Sequence, residues 1–145
     1  MARLPEPGNT PIFPDATYKV RIVSHERTES KTKRTPQIKW KAEILEPKEH
    51  EGRHIILFTV LSEAALWKVS NLISSCGIEF PKDLDTDSTA FDNLCEMTYG
   101  RVSYWMNKQR EYQGTLQNDI IAFQGDPHQD PIKFVGEAEP EWLDK

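Results

Sequence analysis

Two stretches of alternating apolar and polar residues, separated by a polar segment, set the narrowest limit on how this chain can fold. Over residues 17–24, and again over residues 37–45, apolar side chains alternate with Lys, Arg or Glu. A period of two is typical of a β-strand with one buried face and one exposed face. Residues 25–36 show no period and are rich in Thr, Ser and Lys, which predicts a loop. The sequence therefore predicts two neighbouring strands joined by a long basic loop.

The same stretch concentrates positive charge. Residues 17–41 contain eight Lys or Arg and two Glu, a net charge of +6, whereas the whole chain of 145 residues carries −5. Local charge matters more than the sum, because salt limits the reach of a surface charge to about 10 Å. A cationic segment on an acidic protein indicates an anionic polymer as partner, and we expect single-stranded DNA.

The remainder of the chain predicts one main helix and three further strands. Ser62 is a favourable N-cap, apolar residues follow it at helical spacing, and Gly77 is the expected left-handed stop. A short second helix is predicted over residues 88–96. The three strands are predicted over residues 53–61, 100–108 and 115–123.

This order of elements is typical of the OB-fold, a five-stranded Greek-key barrel. The predicted fold class is therefore mostly β, a five-stranded OB-fold barrel with one helix between strands 3 and 4. We expect the domain to span residues 15–124. A flexible, proline-rich N-terminal arm (residues 1–14) precedes it, with Ile12 and Phe13 attaching the end of the arm to the domain. An acidic C-terminal tail (residues 125–145) follows it.

The fold predicts where nucleic acid would bind. On an OB-fold the ligand usually lies across strands two and three, between the loops that join strands one to two and four to five. Both loops carry cations here (residues 25–36, and residues 109–114 with the adjacent Lys108), whereas the other long connections (residues 46–52 and 79–96) are acidic. The predicted phosphate contacts are Lys19, Arg21, Arg27, Lys31, Lys33, Arg34, Lys39, Lys41, Lys108 and Arg110.

Single-strand binding also requires aromatic faces on which bases can stack, worth about 1–3 kcal/mol per base. Strand parity places Trp105 opposite Tyr104 and Met106, which are the expected core residues, so Trp105 is predicted to face outward. Trp40 shares its parity with apolar neighbours and is predicted to lie in the core. The predicted stacking residues are Phe58, Trp105 and Tyr112.

The sequence offers little support for an enzyme. Residues 50–54 match the H-E-x-x-H motif of zinc peptidases, which requires a helix to bring its two histidines together. Pro47 precedes the motif and Gly52 interrupts it, so we predict turn histidines, no metal, no cofactor and no enzymatic activity. Metal analysis of the purified protein would detect the alternative, a metallohydrolase. Cys76 and Cys95 lack the spacing of a zinc site and are predicted to be buried, reduced thiols.

The termini and the apolar content suggest a location and a second kind of partner. The chain has neither an apolar run of about 20 residues nor a hydrophobic signal region, which predicts a cytoplasmic protein that does not enter a membrane.

In the acidic tail, Trp142 and Leu143 are predicted to bind replication or recombination proteins while the tail competes with DNA. The alternatives are a solubilising tail or a final segment packed on the domain.

Residues 16–126 resemble a family of phage-encoded single-stranded DNA-binding proteins that is often catalogued as a domain of unknown function. The similarity is carried by TYKVRIVS, a basic linker, IKWKAEILEPKEHEGRHI, VLSEAALWKVSNLISSCGI, a DL…F…L…G segment and YGRVSYWMNKQREYQGTLQNDI. The resemblance implies an OB-fold, the host cytoplasm, and a role in phage DNA replication or recombination. Bacterial and phage single-strand binders often end in an acidic tip with a terminal aromatic, and EPEWLDK departs from that pattern.

One functional alternative stays open. An OB-fold that serves as a protein-interaction accessory of replication or recombination would share these strands and touch DNA little.

Overall fold

The computed structural model describes residues 11–30, 33–81 and 83–134, with residue 112 described by its backbone, and this part of the chain is mostly β. Two 3-10 turns, Lys48–His50 and Glu63–Ala65, precede the third strand and the first helix. The helices are α1 (Leu66–Ser75) and α2 (Thr89–Met97). The strands are β1 (Ala16–Glu29), β2 (Pro36–Glu46), β3 (His54–Val60), β4 (Ile78–Glu79), β5 (Val102–Tyr112), β6 (Thr115–Gly125) and β7 (Ile132–Lys133).

Five strands form one antiparallel sheet in the order β3-β2-β1-β5-β6. The outermost strands, β3 and β6, do not pair with each other in the described residues, and a cleft lies between their edges. The sheet is therefore not a closed barrel, and the predicted closure is wrong. Strands β4 and β7 form a small parallel sheet of their own.

Both α-helices lie in the connection between β3 and β5, where the sequence predicted one main helix and a short second one. Helix α1 begins at Leu66, because residues after Ser62 first form a 3-10 turn and the Ser62 side chain caps nothing. Ser88 caps α2 instead, accepting a hydrogen bond from the Phe91 amide at 3.1 Å. Gly77 follows α1 with φ +78°, as expected for a left-handed stop. Neither described helix has the length and apolar character needed to cross a membrane.

Strand β1 is longer than predicted. Residues 25–29 continue β1 and pair with β2, so the prediction of a loop over all of residues 25–36 is wrong. An irregularity between Ile22 and Ser24 shifts the register of β1 against β2. Such an irregularity breaks the period of two, which explains why the second half of the strand carries no recognisable pattern.

The buried and exposed faces of β5 are the reverse of the prediction. Trp105 is fully buried, so its predicted role as an outward stacking residue is wrong, and Met106 is 43% exposed. The buried face of β5 also carries Ser103 and Asn107, two polar residues. Their hydrogen bonds allow this: Ser103 Oγ lies 2.5 Å from Ser75 Oγ, and the Asn107 amide donates to carbonyl oxygens of the N-terminal segment.

The core joins the inner face of the sheet to both helices. Trp40 is fully buried, which confirms the prediction, and its Nε1 donates a hydrogen bond to Thr59 Oγ1 at 2.9 Å. Residues 126–134 also return to the body of the protein. There Gln129 exchanges two hydrogen bonds with the backbone of Val102, and Phe134 is buried. The alternative of a final segment packed on the domain therefore applies to residues 126–134.

The described end of the predicted N-terminal arm is fixed to the body. Phe13 is fully buried and packs edge-on against the rings of Tyr18 and His50, with the Arg53 guanidinium over its face. This confirms the expected attachment at Phe13, whereas Ile12 is partly exposed.

The two cysteines are free and buried, as predicted. Burial raises the pKa of the Cys76 and Cys95 thiols to about 12. An unfolded thiol ionises near a pKa of about 8.5, so above that pH the unfolded state loses protons that the folded state retains. The stabilising effect of the neutral thiols is therefore complete below about pH 8.5 and is lost as the pH rises toward about 12.

We expect the free energy of unfolding to fall as the pH is raised from 8 to 10. Urea titrations at several pH values would measure it. The double variant Cys76→Ala/Cys95→Ala should show a smaller fall over the same range. Equal falls in the two proteins would show that other groups cause the alkaline loss of stability.

Candidate nucleic-acid interface

The outer face of β2 and β3 combines lysines with the exposed ring of Phe58 and the half-buried side chain of Ile56. Ile38, Trp40 and Ala42 fill the core, so the residues between them face outward. Lys39 is the cross-strand partner of Phe58, and Lys41 is the partner of Ile56. Among the described residues, no carboxylate forms an ion pair with either lysine. We call this group the lysine ladder (Lys39, Lys41, Ile56 and Phe58).

The ladder borders an open cleft between the two sheet edges. This edge cleft is lined by residues 56–58 of β3, residues 115–119 of β6, Ile12 and Lys68, and has a volume of about 580 Å³. Sites for small ligands commonly measure about 300–1,000 Å³. Three of the large apolar side chains that the described part of the chain exposes, Ile12, Phe58 and Leu116, lie in this cleft. The cleft therefore offers flat and apolar surface beside cationic groups.

One end of the edge cleft holds a three-residue ionic cluster. Asp119 Oδ1 lies 3.4 Å from Lys68 Nζ, and Asp119 Oδ2 lies 2.9 Å from an Arg110 guanidinium nitrogen. Lys68 comes from α1, Arg110 from β5 and Asp119 from β6. Lys108 is the cross-strand partner of Asp119 and is exposed. Two cations thus pair with one carboxylate, and a third cation lies opposite it on the neighbouring strand.

Two predicted phosphate contacts on β1 already have anionic partners. Arg21 pairs with Glu43 at 2.9 Å, and Lys19 lies 3.7 Å from Glu46. Lys19 also lies 6.0 Å from the centre of the Tyr104 ring. These cations face outward as predicted, but a phosphate would have to compete with the carboxylates.

Arg27 is bound by residues of the acidic connection (residues 79–96). Its guanidinium lies 3.7 Å from Asp87 and 3.5 Å from Asp92, and it donates a hydrogen bond to the Thr86 carbonyl. Because α2 packs near β1, the acidic connection and the basic strand meet in space at Arg27.

Beside Arg27, His25 lies between two aromatic rings. Its Nδ1 is 2.6 Å from the Tyr99 hydroxyl, and its ring centre is 5.7 Å from that of Trp40. Burial lowers the pKa of His25 below its ordinary value. The histidine is therefore neutral at neutral pH and adds no charge for a phosphate.

The remaining predicted residues lie either in an exposed turn or outside the part of the chain that the structure describes. Lys33 and Arg34 are exposed in the turn between β1 and β2, where Arg34 has a φ of +53°. The side chain of Tyr112 and the residues Lys31, Trp142 and Leu143 lie outside what the structure describes.

The histidines of the H-E-x-x-H match occupy different elements. His50 ends a 3-10 turn and packs against Phe13 and Tyr18, whereas His54 begins β3. In residues 11–30, 33–81 and 83–134 there is no group of three or more His, Cys, Asp or Glu placed to hold a metal ion.

Sequence reasoning missed Lys68, Leu116 and Asp119. Lys68 follows an exposed Trp in α1, a helix for which the sequence predicts only packing against the core. Its ion-pair partner Asp119 lies 51 residues later in the chain. No local pattern reports a contact at that separation. Asp119 is the one charged residue of β6, and this was the only local signal available.

Together, the sheet and the cleft define a small antiparallel β protein with a groove of ligand-binding size at its open edge. Residues 7–113 match the family described as Protein of unknown function (DUF669). Because the match spans well over half of the 145 residues, the chain belongs to that family. No curated protein matches the chain.

Proposed function

We propose that the protein binds single-stranded DNA without sequence preference, along the lysine ladder and the edge cleft. The observation that carries the proposal is the position of Lys39 and Lys41, which lack an ion-pair partner among the described residues, beside the exposed ring of Phe58. Proteins that bind single strands without sequence preference combine a cationic groove for the backbone with aromatic faces for the bases. The ladder has both within two adjacent strands.

The topology supports the same proposal. OB-folds are five-stranded, partly open Greek-key barrels whose ligands bind on the face of strands two and three. A five-stranded antiparallel sheet with helices between its third and fourth strands fits such a fold, opened between its two outermost strands. We therefore propose an open OB-fold whose ligand face is that of β2 and β3.

In the proposed mechanism, Lys39 and Lys41 contact phosphates while one base stacks on Phe58. Lys33, Arg34 and Lys108 extend the cationic path. Bases are read by their flat faces alone, so no sequence preference is expected. On the resemblance to phage proteins, we propose a role in phage DNA replication or recombination in the host cytoplasm.

The test is the salt dependence of binding to labelled oligo-dT, followed by fluorescence anisotropy. With about four to six neutralised phosphates, the slope of log K against log salt should be about −3 to −4. Oligo-rU and duplex DNA of the same length measure the preference for DNA and for single strands. A slope near zero, or equal affinity for duplex DNA, would contradict the proposal.

The double variant Lys39→Gln/Lys41→Gln should reduce the magnitude of that slope by about 1.4, because each single-strand phosphate contact contributes about 0.7. The matched control is Lys48→Gln/Lys133→Gln, which removes two exposed lysines outside the ladder and the cleft. If both double variants change the slope equally, net charge and not the ladder governs binding.

A second candidate function is a protein-interaction accessory of replication or recombination. The observation in its favour is that Lys19, Arg21, Arg27 and Arg110 already pair with carboxylates. This alternative predicts no change in anisotropy with any of the oligomers at moderate salt.

A further inference from the structure

We propose that Lys68 and Arg110 form a phosphate subsite at the end of the edge cleft, and that the Asp119 carboxylate occupies this subsite when no DNA is bound. The inference rests on the proposed function and adds a residue, Lys68, that lies on a helix and not on the ladder or its loops. It also assigns to Asp119 a role as an internal competitor of the ligand.

The geometry of the cluster resembles that of a bound anion. One carboxylate accepts from a guanidinium at 2.9 Å and lies 3.4 Å from an ammonium, so each oxygen meets one cation. Arg and Lys are the side chains that proteins use to hold phosphates, Arg with its planar fork and Lys as a point charge. A phosphate oxygen pair could therefore replace the two carboxylate oxygens without moving the cations to new partners.

The cluster is placed where a nucleotide would need it. Lys68 and Asp119 line the same cleft as Phe58 and Leu116. A base against those apolar side chains would leave its phosphate at the border of the cleft, where the cations lie. The side chains of Lys68 and Asp119 are only 19% and 22% exposed, so their charges are less screened than those of the loop lysines.

A hydrogen bond fixes the backbone of Asp119, whereas the exposed side chain of Arg110 can change its partner. The Asp119 amide donates to Asn107 Oδ1 at 3.1 Å, and Asn107 is itself buried and bonded to the Phe13 carbonyl. Arg110 is 69% exposed near the β5–β6 turn. An incoming phosphate can thus take over Arg110 and Lys68 while the backbone of β6 stays in place.

The experiment compares Asp119→Asn with Glu111→Gln in the full chain. Both variants raise the net charge by one, but in the described part of the chain Glu111 forms no ion pair. Asp119→Asn should bind oligo-dT about two- to twenty-five-fold more tightly than wild type, because two ion pairs, each worth a factor of roughly 1.4 to 5, no longer compete. Glu111→Gln should change the affinity less than twofold.

An oligomer of abasic sites of the same length separates phosphate from base contacts. Asp119→Asn should bind it more tightly, and Lys68→Gln and Arg110→Gln should bind it more weakly, since neither contact involves a base. Thermal unfolding of each variant confirms that it is folded.

The outcomes separate the subsite from the proposed function. If wild type binds oligo-dT and Asp119→Asn binds no more tightly than Glu111→Gln, the subsite is disproved and single-strand binding stands. If Lys68→Gln binds like wild type, Lys68 has no part in the subsite and the proposal is overturned in that form. If wild type binds neither oligomer, the function and the subsite fall together.

Discussion

Replacing Phe13 by alanine is expected to destabilise the folded protein by about 3–5 kcal/mol, the usual range for removing a buried aromatic ring. The ring is fully buried, packs against Tyr18 and His50, and lies under the Arg53 guanidinium 4.7 Å from its centre. Its removal would leave a cavity between the start of β1 and the turn before β3. Urea unfolding followed by circular dichroism would measure the loss as a lower midpoint at unchanged slope.

The same segment is bound by side-chain amides, which explains why the cavity could not close easily. Asn118 Oδ1 accepts from the Phe13 amide at 2.9 Å, and Gln109 and Asn107 donate to the Phe13 carbonyl at 2.9 and 3.1 Å. These bonds hold the backbone of residue 13 even when its ring is absent. The adjacent Ile12 is partly exposed, so Ile12→Ala is the matched control and should cost less than about 1 kcal/mol. Equal losses in the two variants would mean that Phe13 is not part of the core.

The strand pattern of β2 and of the first half of β1 (residues 17–24) could be predicted from the sequence, because one face of each is uniformly apolar. The apolar residues on that face are buried in the structure, as the alternation predicts: Val20, Ile22, Ile38 and Trp40. The alternation also placed Lys39 and Lys41 on the exposed face, where the structure has them.

Strand β5 could not be predicted in the same way, because its inward face carries Ser103 and Asn107. A polar residue is tolerated in the core when it has a hydrogen-bond partner, and both partners come from distant positions in the chain. Asn107 bonds to Phe13, 94 residues earlier. With polar residues inside and Met106 outside, counting apolar residues assigns Trp105 to the wrong face.

The sequence predicted which lysines and arginines lie at the candidate site, but it did not predict which of them pair with carboxylates. The sequence shows eight cations between residues 17 and 41, but not that Glu43, Glu46, Asp87 and Asp92 lie against three of them. Ion pairs between strands and helices depend on tertiary packing, so net charge per segment overstates the free positive charge. The cleft between β3 and β6 likewise follows from the failure of two edges to pair, which no local pattern reports.

Replacing Phe58 by alanine is expected to weaken oligo-dT binding by a factor of about 5 to 150, which corresponds to the 1–3 kcal/mol that a stacked base contributes. Phe58 is 43% exposed on the outer face of β3, next to Lys39 and in the edge cleft. The loss should be much smaller with the abasic oligomer, which has phosphates but no bases. Anisotropy titrations of both oligomers at one salt concentration would measure it.

Met106→Ala is the matched control, because Met106 has the same exposed fraction of 43% but lies on β5, three strands from β3. Its affinity for oligo-dT should equal that of wild type. If Phe58→Ala and Met106→Ala bind equally well, no base stacks on Phe58.

Phe58→Trp supplies a direct signal for the same contact. Trp40 and Trp105 are fully buried, so their fluorescence should respond little to a ligand on the outer face. Trp67 is 51% exposed and Trp142 lies outside the described residues, so the wild type supplies a background signal. A tryptophan at position 58 keeps an aromatic face for a base, so this variant should retain affinity and show more quenching than the wild type. Retained affinity without additional quenching would place the bases elsewhere on the sheet, and the phosphate contacts of the lysine ladder would then have to account for binding by themselves.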